Sequence, residues 1–183
     1  MLSIEQAVQS LRDGAVIAYP TEAVYGLGCD PLNEAAVARI WQLKQRPAAM
    51  GLILIAGAWS QLEPYVAELS PVQQQQLFAT WPGPHTWIVP AKPSCPLWLT
   101  GGRETIAVRV TDHVPSRALC QAYAGALVST SANLHGQPPL RDAMEAERTF
   151  LGDGFAGVMQ GELGQLAQPT TIRDLRSGEW VRR

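Results

Sequence analysis

Apolar residues recur at three- and four-residue intervals at the start of the chain, at Ile4, Ala7, Val8 and Leu11. Ser3 and Gln6 complete a capping box and Gly14 offers a stop, so a first helix is predicted there. "AVIAYP" (15–20) is an apolar run closed by proline and reads as a strand, and "TEAVYGLGCDP" (21–31) reads as a glycine-punctuated loop. Asn33 can cap a second helix with the stripe Val37, Ile40 and Trp41. Lys44 continues that stripe by spacing, which places it along the core edge rather than out in water.

"GLILIAG" (51–57) is unbroken and bounded by glycines, the pattern of a central strand covered on both faces. Helical stretches are expected around 59–68 and 71–80, then a strand at "HTWIVPA" (85–91), a proline-rich loop and the strand "TIAVRV" (105–110). A helix around 114–124 leads into "ALVSTSAN" (126–133) and a turn at "LHGQPPL". A helix near 142–150 precedes "FAGVMQG", and "PTTIRDLRSGEWVRR" reads as two strands joined at Ser177-Gly178. Strands alternate with helices through one half and cluster at the end, which predicts an α/β fold with a mixed sheet. Neither an internal repeat nor a linker interrupts residues 1–183, so one domain is expected.

Composition narrows the picture. The 183 residues carry 14 basic and 16 acidic side chains, a net charge of −2, which is not the footprint of a protein held to nucleic acid by bulk charge. Several arginines nevertheless crowd the C-terminus: Arg173, Arg176, Arg182 and Arg183. Cys29, Cys95 and Cys120 are odd in number and widely spaced, without a C-x-x-C, and His85, His113 and His135 have no ligand spacing relative to them. Free thiols in a reducing compartment are expected, with no metal cluster. No leader-like or membrane-length apolar run occurs, so a cytoplasmic location away from the membrane is expected.

Strand parity then points to chemistry. In "TIAVRV", Thr105, Ala107 and Arg109 share one face and Ile106, Val108 and Val110 the other. Arg109 needs an anionic partner because a buried, unpaired charge is costly. That partner is either a protein acid, with Asp112 or Asp174 as candidates, or the carboxylate or phosphate of a ligand. In "VSTSAN", Ser129, Ser131 and Asn133 fall on one side and Thr130 and Ala132 on the other, giving a row of short polar groups at a strand end, where open α/β sheets bind ligands. "YPTEAVYGLG" presents Thr21, Glu22 and Tyr25 on a loop whose Gly26 and Gly28 permit close backbone approach. Its spacing fits neither a Rossmann fingerprint nor a P-loop.

Lys44 and Arg46 at a helix C-terminus, followed by Pro47, form a candidate triphosphate clamp. Favourable charge at the helix end accounts for a basic residue there, but not for Lys44 on the apolar stripe. Cations and small donors from four segments, without a serine–histidine–acid set, suit a reaction in which the substrates attack each other. The protein then aligns them and neutralises charge.

"YPTEAVYGLGCDP", "LKQRP" followed by "GLILIA", "WPGPHTWIVPA", "IAVRVTDH", "LVSTSANLHGQPP" and "TTIRD" stand in the order and spacing of one family. From about residue 4 to the end the chain resembles the YrdC/TsaC threonylcarbamoyl-AMP synthases, in their short, single-domain bacterial form. The K-x-R (Lys44, Arg46) and S-x-N (Ser131, Asn133) signatures are specific in this joint context. The resemblance implies a YrdC/RibB-like fold, a twisted, mixed open sheet with flanking helices and a large concave cavity.

It also implies a reaction. L-Threonine, bicarbonate or carbon dioxide, and ATP would give L-threonylcarbamoyl-adenylate and pyrophosphate, with Mg2+ carried by ATP. The product would serve threonylcarbamoylation of tRNA by TsaB-, TsaD- and TsaE-type proteins. By position, Lys44 and Arg46 would be catalytic and hold ATP, together with Thr105, Ser131, Asn133 and Arg182. Thr21, Arg109, Ser129 and Thr170 would hold threonine, Arg109 through the carboxylate. The sequence departs from the family pattern at Ala23, where many relatives have threonine, at Ile55, where histidine is common, and in the turn containing Pro139.

Two other readings are open. An RNA-binding module would use the concave basic face to hold tRNA or other structured RNA, weakly given the acidic overall balance. A carbamoyl-transfer module like that of hydrogenase-maturation proteins would bring acylphosphatase-like and zinc-finger segments, which this sequence lacks.

Overall fold

The computed structural model describes residues 1–46 and 51–182. Pro47, expected to follow the second helix directly, and Arg183 lie outside the described residues. Along the chain the elements are α1 (Ile4–Arg12), β1 (Val16–Pro20), β2 (Tyr25–Gly28), α2 (Glu34–Lys44), β3 (Ile53–Ala56), α3 (Pro71–Phe78) and β4 (His85–Pro90). They continue with α4 (Leu97–Thr100), β5 (Thr105–Val110), α5 (Val114–Tyr123), β6 (Leu127–Ser131), α6 (Ala143–Phe150), β7 (Phe155–Val158), β8 (Thr171–Asp174) and β9 (Trp180–Arg182).

Helix starts follow local chemistry. Ser3 and Ser70 each form a complete capping box, with Gln6 and Gln73 respectively, while Asn33 and Asp142 accept single N-terminal amides. The segment 59–68 does not become a helix. Only a 3-10 turn forms at Trp59–Gln61, because Pro64 cannot continue a helix interior, and Leu62, Tyr65 and Val66 are buried from turns instead. Conversely, the proline-rich loop contains the short helix α4.

Among the described residues the strands form one mixed sheet in the order β7-β1-β2-β6-β3-β5-β4-β8-β9. Pairs β1/β7, β3/β5 and β4/β8 are parallel and the other neighbours antiparallel. The strand β2 lies inside the segment read from sequence as a loop. Its glycines fit the ring of Tyr19: a Cβ at Gly28 would sit 2.6 Å from Tyr19 Cε1 and 2.7 Å from the Val128 carbonyl oxygen. The close approach that Gly28 permits is to the protein's own core.

The two faces of the sheet are covered unequally. One carries the larger core, with Val16, Leu27, Leu54, Val108 and Val128 packed against Val37, Ile40 and Trp41 of α2 and Phe150 of α6. The other carries a smaller cluster, in which Ile17, Tyr19, Ile55 and Leu127 pack beneath Ala7 and Leu11 of α1 and Leu119 of α5. Residues paired across adjacent strands point to the same side. The register Ile55–Arg109, Ile53–Ala107 and Ile53–Ser129 therefore puts Arg109, Ala107 and Ser129 on the α1/α5 side, beyond the reach of those helices. That uncovered half of the sheet is the floor of a cavity. The expected architecture, a mixed open sheet with flanking helices and a concave cavity, is the observed one.

Candidate active site

The cavity has a volume of about 450 Å³ and opens over β5, β3, β6 and the start of β2. Thr105, Ala107 and Arg109 line it from β5, as the alternation of that strand predicts, with Ile53, Ile88, Ser129 and Ser131 beside them. Thr21, Ala23, Thr170, Arg46, Arg103 and Arg182 close its walls. Four guanidinium groups thus face one space. Hydroxyls are the other recurring group, and among the described residues no carboxylate side chain lines the cavity.

Arg109 is buried, and its charge is met by Glu22 rather than by Asp112 or Asp174, the acids considered from sequence. Its Nη2 donates to Glu22 Oε2 at 3.2 Å. Its Nε lies 3.1 Å from Oε1, off the line of a hydrogen bond, so that contact is electrostatic. Nη1 donates to Thr86 Oγ1 at 3.1 Å and to Thr170 Oγ1 at 3.0 Å. Thr111 donates to Glu22 Oε1 at 2.7 Å and accepts the His113 amide at 3.1 Å. Arg182 Nε donates to the Thr170 carbonyl at 2.8 Å, and burial together with the charge of Arg109 lowers its pKa. Two arginines therefore converge on Thr170.

Lys44 does not line the cavity. It is 2% exposed, and its ammonium donates to the carbonyl oxygens of Ser131 and Asn133, the latter at 2.9 Å, and to Asn133 Oδ1 at 3.1 Å. The sequence expectation gave it ATP phosphates beside Arg46; in this structure its three N–H groups have main-chain and amide partners. Asn133, also expected at the ATP side, has protein partners as well. Its Oδ1 accepts from Ser131 Oγ at 2.6 Å and its amide nitrogen donates to the carbonyls of Leu134 and Gln137, so its side chain orders the strand exit and is absent from the cavity lining. Pro139 lies with Asn133 beside a separate outer hollow.

Arg46 does face the cavity. It stacks 5.3 Å over the Trp41 ring and reaches Thr130 Oγ1 at 3.4 Å, and burial lowers its pKa. Parity places Thr130 on the side away from Ser129. It pairs with Leu27 and stands on the α2 side, yet it lines the cavity because the site wraps around the strand end, where Arg46 arrives. Thr21 lines the cavity while its hydroxyl donates to the Val24 carbonyl at 2.7 Å.

Sequence reasoning missed four participants. Glu22 has no partner that its place on the loop predicts. Thr86 bonds Arg109, Thr130 sits on the other parity, and Arg103 follows Gly101-Gly102 and lines the cavity. Only Arg103 had a local signal, a lone cation between a glycine turn and a strand. Cys29, Cys95 and Cys120 are free and buried, and burial raises the thiol pKa of each. Among the described residues no three His, Cys, Asp or Glu converge as a metal site, and no helix is long and apolar enough to cross a membrane.

The family model of Sua5, YciO and YrdC proteins, described as "Telomere recombination", matches residues 9–183. The chain is 49% identical over 180 residues to the threonylcarbamoyl-AMP synthase of Coxiella burnetii strain RSA 493, covering 98% of this chain and 96% of that protein. The structure of E. coli YciO superposes with a TM-score of 0.85 at 31% identity, over 98% of this chain and 88% of that one. P. abyssi Sua5 complexed with L-threonine gives a TM-score of 0.85 at 32% identity, over 93% of this chain but only 50% of that longer one. The chain belongs to the Sua5/YciO/YrdC family.

Proposed function

We propose that the protein forms L-threonylcarbamoyl-adenylate and pyrophosphate from L-threonine, bicarbonate or carbon dioxide, and ATP. The observation that carries this reading is one cavity that presents Arg46, Arg103, Arg109 and Arg182 among threonine and serine hydroxyls, with no Cys, His or Lys among the described residues that line it. Near-full-length similarity to a named threonylcarbamoyl-AMP synthase supports the choice of substrates.

The threonine amine takes up carbon dioxide as a carbamate. A carbamate oxygen then attacks the α-phosphorus of ATP, and the bond to the bridging oxygen of pyrophosphate breaks. Charge builds on phosphate oxygens, where oriented guanidiniums stabilise it without reorganisation. Arg46 approaches from the α2 side with Thr130 and Ser131, the phosphate side of the site, and Thr105 also faces the nucleotide. Thr21, Ser129, Thr170 and Arg109 form the amino-acid side. Lys44 and Asn133 act one layer back, by holding the Ser131 segment in place. Hydroxyls and guanidiniums are a poor donor set for a protein-held divalent cation, so magnesium enters with ATP as part of the substrate.

The domain works as one unit in the cytoplasm. Its product passes to TsaB-, TsaD- and TsaE-type proteins for transfer to tRNA, and any direct contact with tRNA is weak. Purified protein incubated with ATP, threonine and bicarbonate is expected to yield threonylcarbamoyl-adenylate by mass spectrometry. Absence of the adduct, with ATP unconsumed, overturns the reading.

A further inference from the structure

Among the buried groups around the cavity, Glu22 has no role in the reaction sketched above, yet it is tied in on every side. Both carboxylate oxygens are occupied, Oε2 by Arg109 Nη2 and Oε1 by the Thr111 hydroxyl, and the His113 amide anchors Thr111 in turn. Its main-chain carbonyl accepts the Leu166 amide at 3.1 Å, and the Thr21 carbonyl accepts the Gly164 amide at 2.9 Å. A Cβ at Gly164 would lie 2.4 Å from the Glu22 carbonyl oxygen, so the 164–166 segment is seated directly on the Glu22 backbone. The carboxylate is therefore held in one position relative to Arg109.

We propose that Glu22 is a positioning and specificity-determining residue. It matches the charge of the Thr170 corner to a single carboxylate and thereby keeps polyphosphate out of the amino-acid side of the cavity. This inference rests on the reading of the cavity as a site for an amino acid beside ATP.

The argument is one of charge and hydrogen-bond direction. Arg109 and Arg182 both converge on Thr170, one on its hydroxyl and the other on its carbonyl. Without Glu22 that corner would carry two positive charges in a partly desolvated wall, a site suited to phosphate groups. With Glu22 the corner carries one net positive charge, the complement of an amino-acid carboxylate. Thr170 Oγ1 accepts from Arg109, so its own O–H remains to donate, and Thr170 lines the cavity. The guanidinium orientation set by Glu22 is what turns that hydroxyl toward a ligand. Coulomb attraction at such short range is strong where water is excluded, so removing one fixed carboxylate changes which anion the corner prefers.

Steady-state kinetics of the wild type, Glu22→Gln, Glu22→Asp and Thr111→Val test the proposal, with inorganic tripolyphosphate as the polyanion probe. The expected result for Glu22→Gln is a threonine KM raised about tenfold or more, the scale of losing one charge-assisted arrangement, with the ATP KM within about twofold. Tripolyphosphate, expected to compete with ATP alone in the wild type, should also become competitive with threonine. Glu22→Asp should recover part of the threonine KM. Thr111→Val, which keeps the ion pair but loosens it, should fall between and serves if Glu22→Gln does not fold. An unchanged threonine KM and inhibition pattern overturns the proposal, as does a parallel loss for threonine and ATP. A wild type that makes no adduct sinks the functional reading instead, so the two failures are distinguishable.

Discussion

The carbonyl oxygen of Lys44 accepts the His135 amide at 2.8 Å while its ammonium, folded back, lies 2.9 Å from the Asn133 carbonyl oxygen. One residue at the end of α2 thus holds the exit of β6 through both its main chain and its side chain. The K-x-R and S-x-N signatures are two sides of one joint, with Lys44 inside it and Arg46 emerging into the cavity.

Lys44→Met should disable this joint. Three acceptors each lose a donor. The Asn133 carbonyl loses most completely, because Ser131 Oγ still donates to Asn133 Oδ1 and the Asn133 amide to the Ser131 carbonyl. An unsatisfied buried acceptor costs about 1–3 kcal/mol. Global stability is expected to fall by about 2 kcal/mol in denaturant unfolding, with turnover reduced at least about tenfold because Ser131 shifts. Lys44→Arg should not restore activity, since the planar guanidinium does not suit a pocket built around one ammonium. Wild-type turnover in Lys44→Met would refute the joint.

The same residue predicts opposite pH trends for stability and activity. Burial, with the charge of Arg46 second, lowers its pKa to about 8. In the unfolded chain the amine stays protonated to about pH 10.4. Between those values the folded protein binds fewer protons than the unfolded one, so the Lys44 contribution to stability is smallest below about pH 8 and rises toward about 10.5. Activity should fall over the same range, because a neutral amine has two N–H donors for three acceptors. The stability difference between wild type and Lys44→Met, measured by urea unfolding from pH 7 to 10, should therefore rise with pH while wild-type kcat/KM declines. A flat difference would count against the titration.

Arg46→Ala and Arg109→Ala are each expected to cut pyrophosphate release about 10–100-fold, the scale of losing a charge-stabilising contact. They should separate in kinetics. Arg46→Ala should act mainly through ATP, and Arg109→Ala through threonine. Arg109→Ala should also lower the melting temperature, because it leaves the Glu22 carboxylate buried without its cation. Wild-type rates in both variants would remove the proposed site.

Cys29→Ser should leave kcat unchanged. The thiol is fully buried in the larger core and its pKa is raised by burial, far from a reactive thiolate. A hydroxyl in that apolar site is expected to cost about 1 kcal/mol of stability, readable as a small drop in melting temperature. An inactive but folded variant would bring thiol chemistry back into the mechanism.

Much of this molecule is legible along the chain because local rules act there. Capping residues start the helices, period-two alternation puts Thr105, Ala107 and Arg109 on one face of β5, and the apolar spacing of α2 correctly turns Lys44 inward. The resemblance carried by six short motifs names the family. Where local rules compete with packing, the sequence is ambiguous. Residues 25–28 look like a loop by their glycines and become a strand because only glycine admits the Tyr19 ring beside it.

The partners of the charges belong to tertiary structure alone. Glu22 and Arg109 are far apart along the chain and meet as a buried pair beside the cavity, and nothing in the spacing of either distinguishes Glu22 from Asp112 or Asp174. Periodicity shows that Lys44 points inward. Only the position of β6 shows that it meets carbonyl oxygens there rather than phosphate. A sequence pattern reports the direction in which a side chain leaves its own element, and the fold decides what stands in that direction.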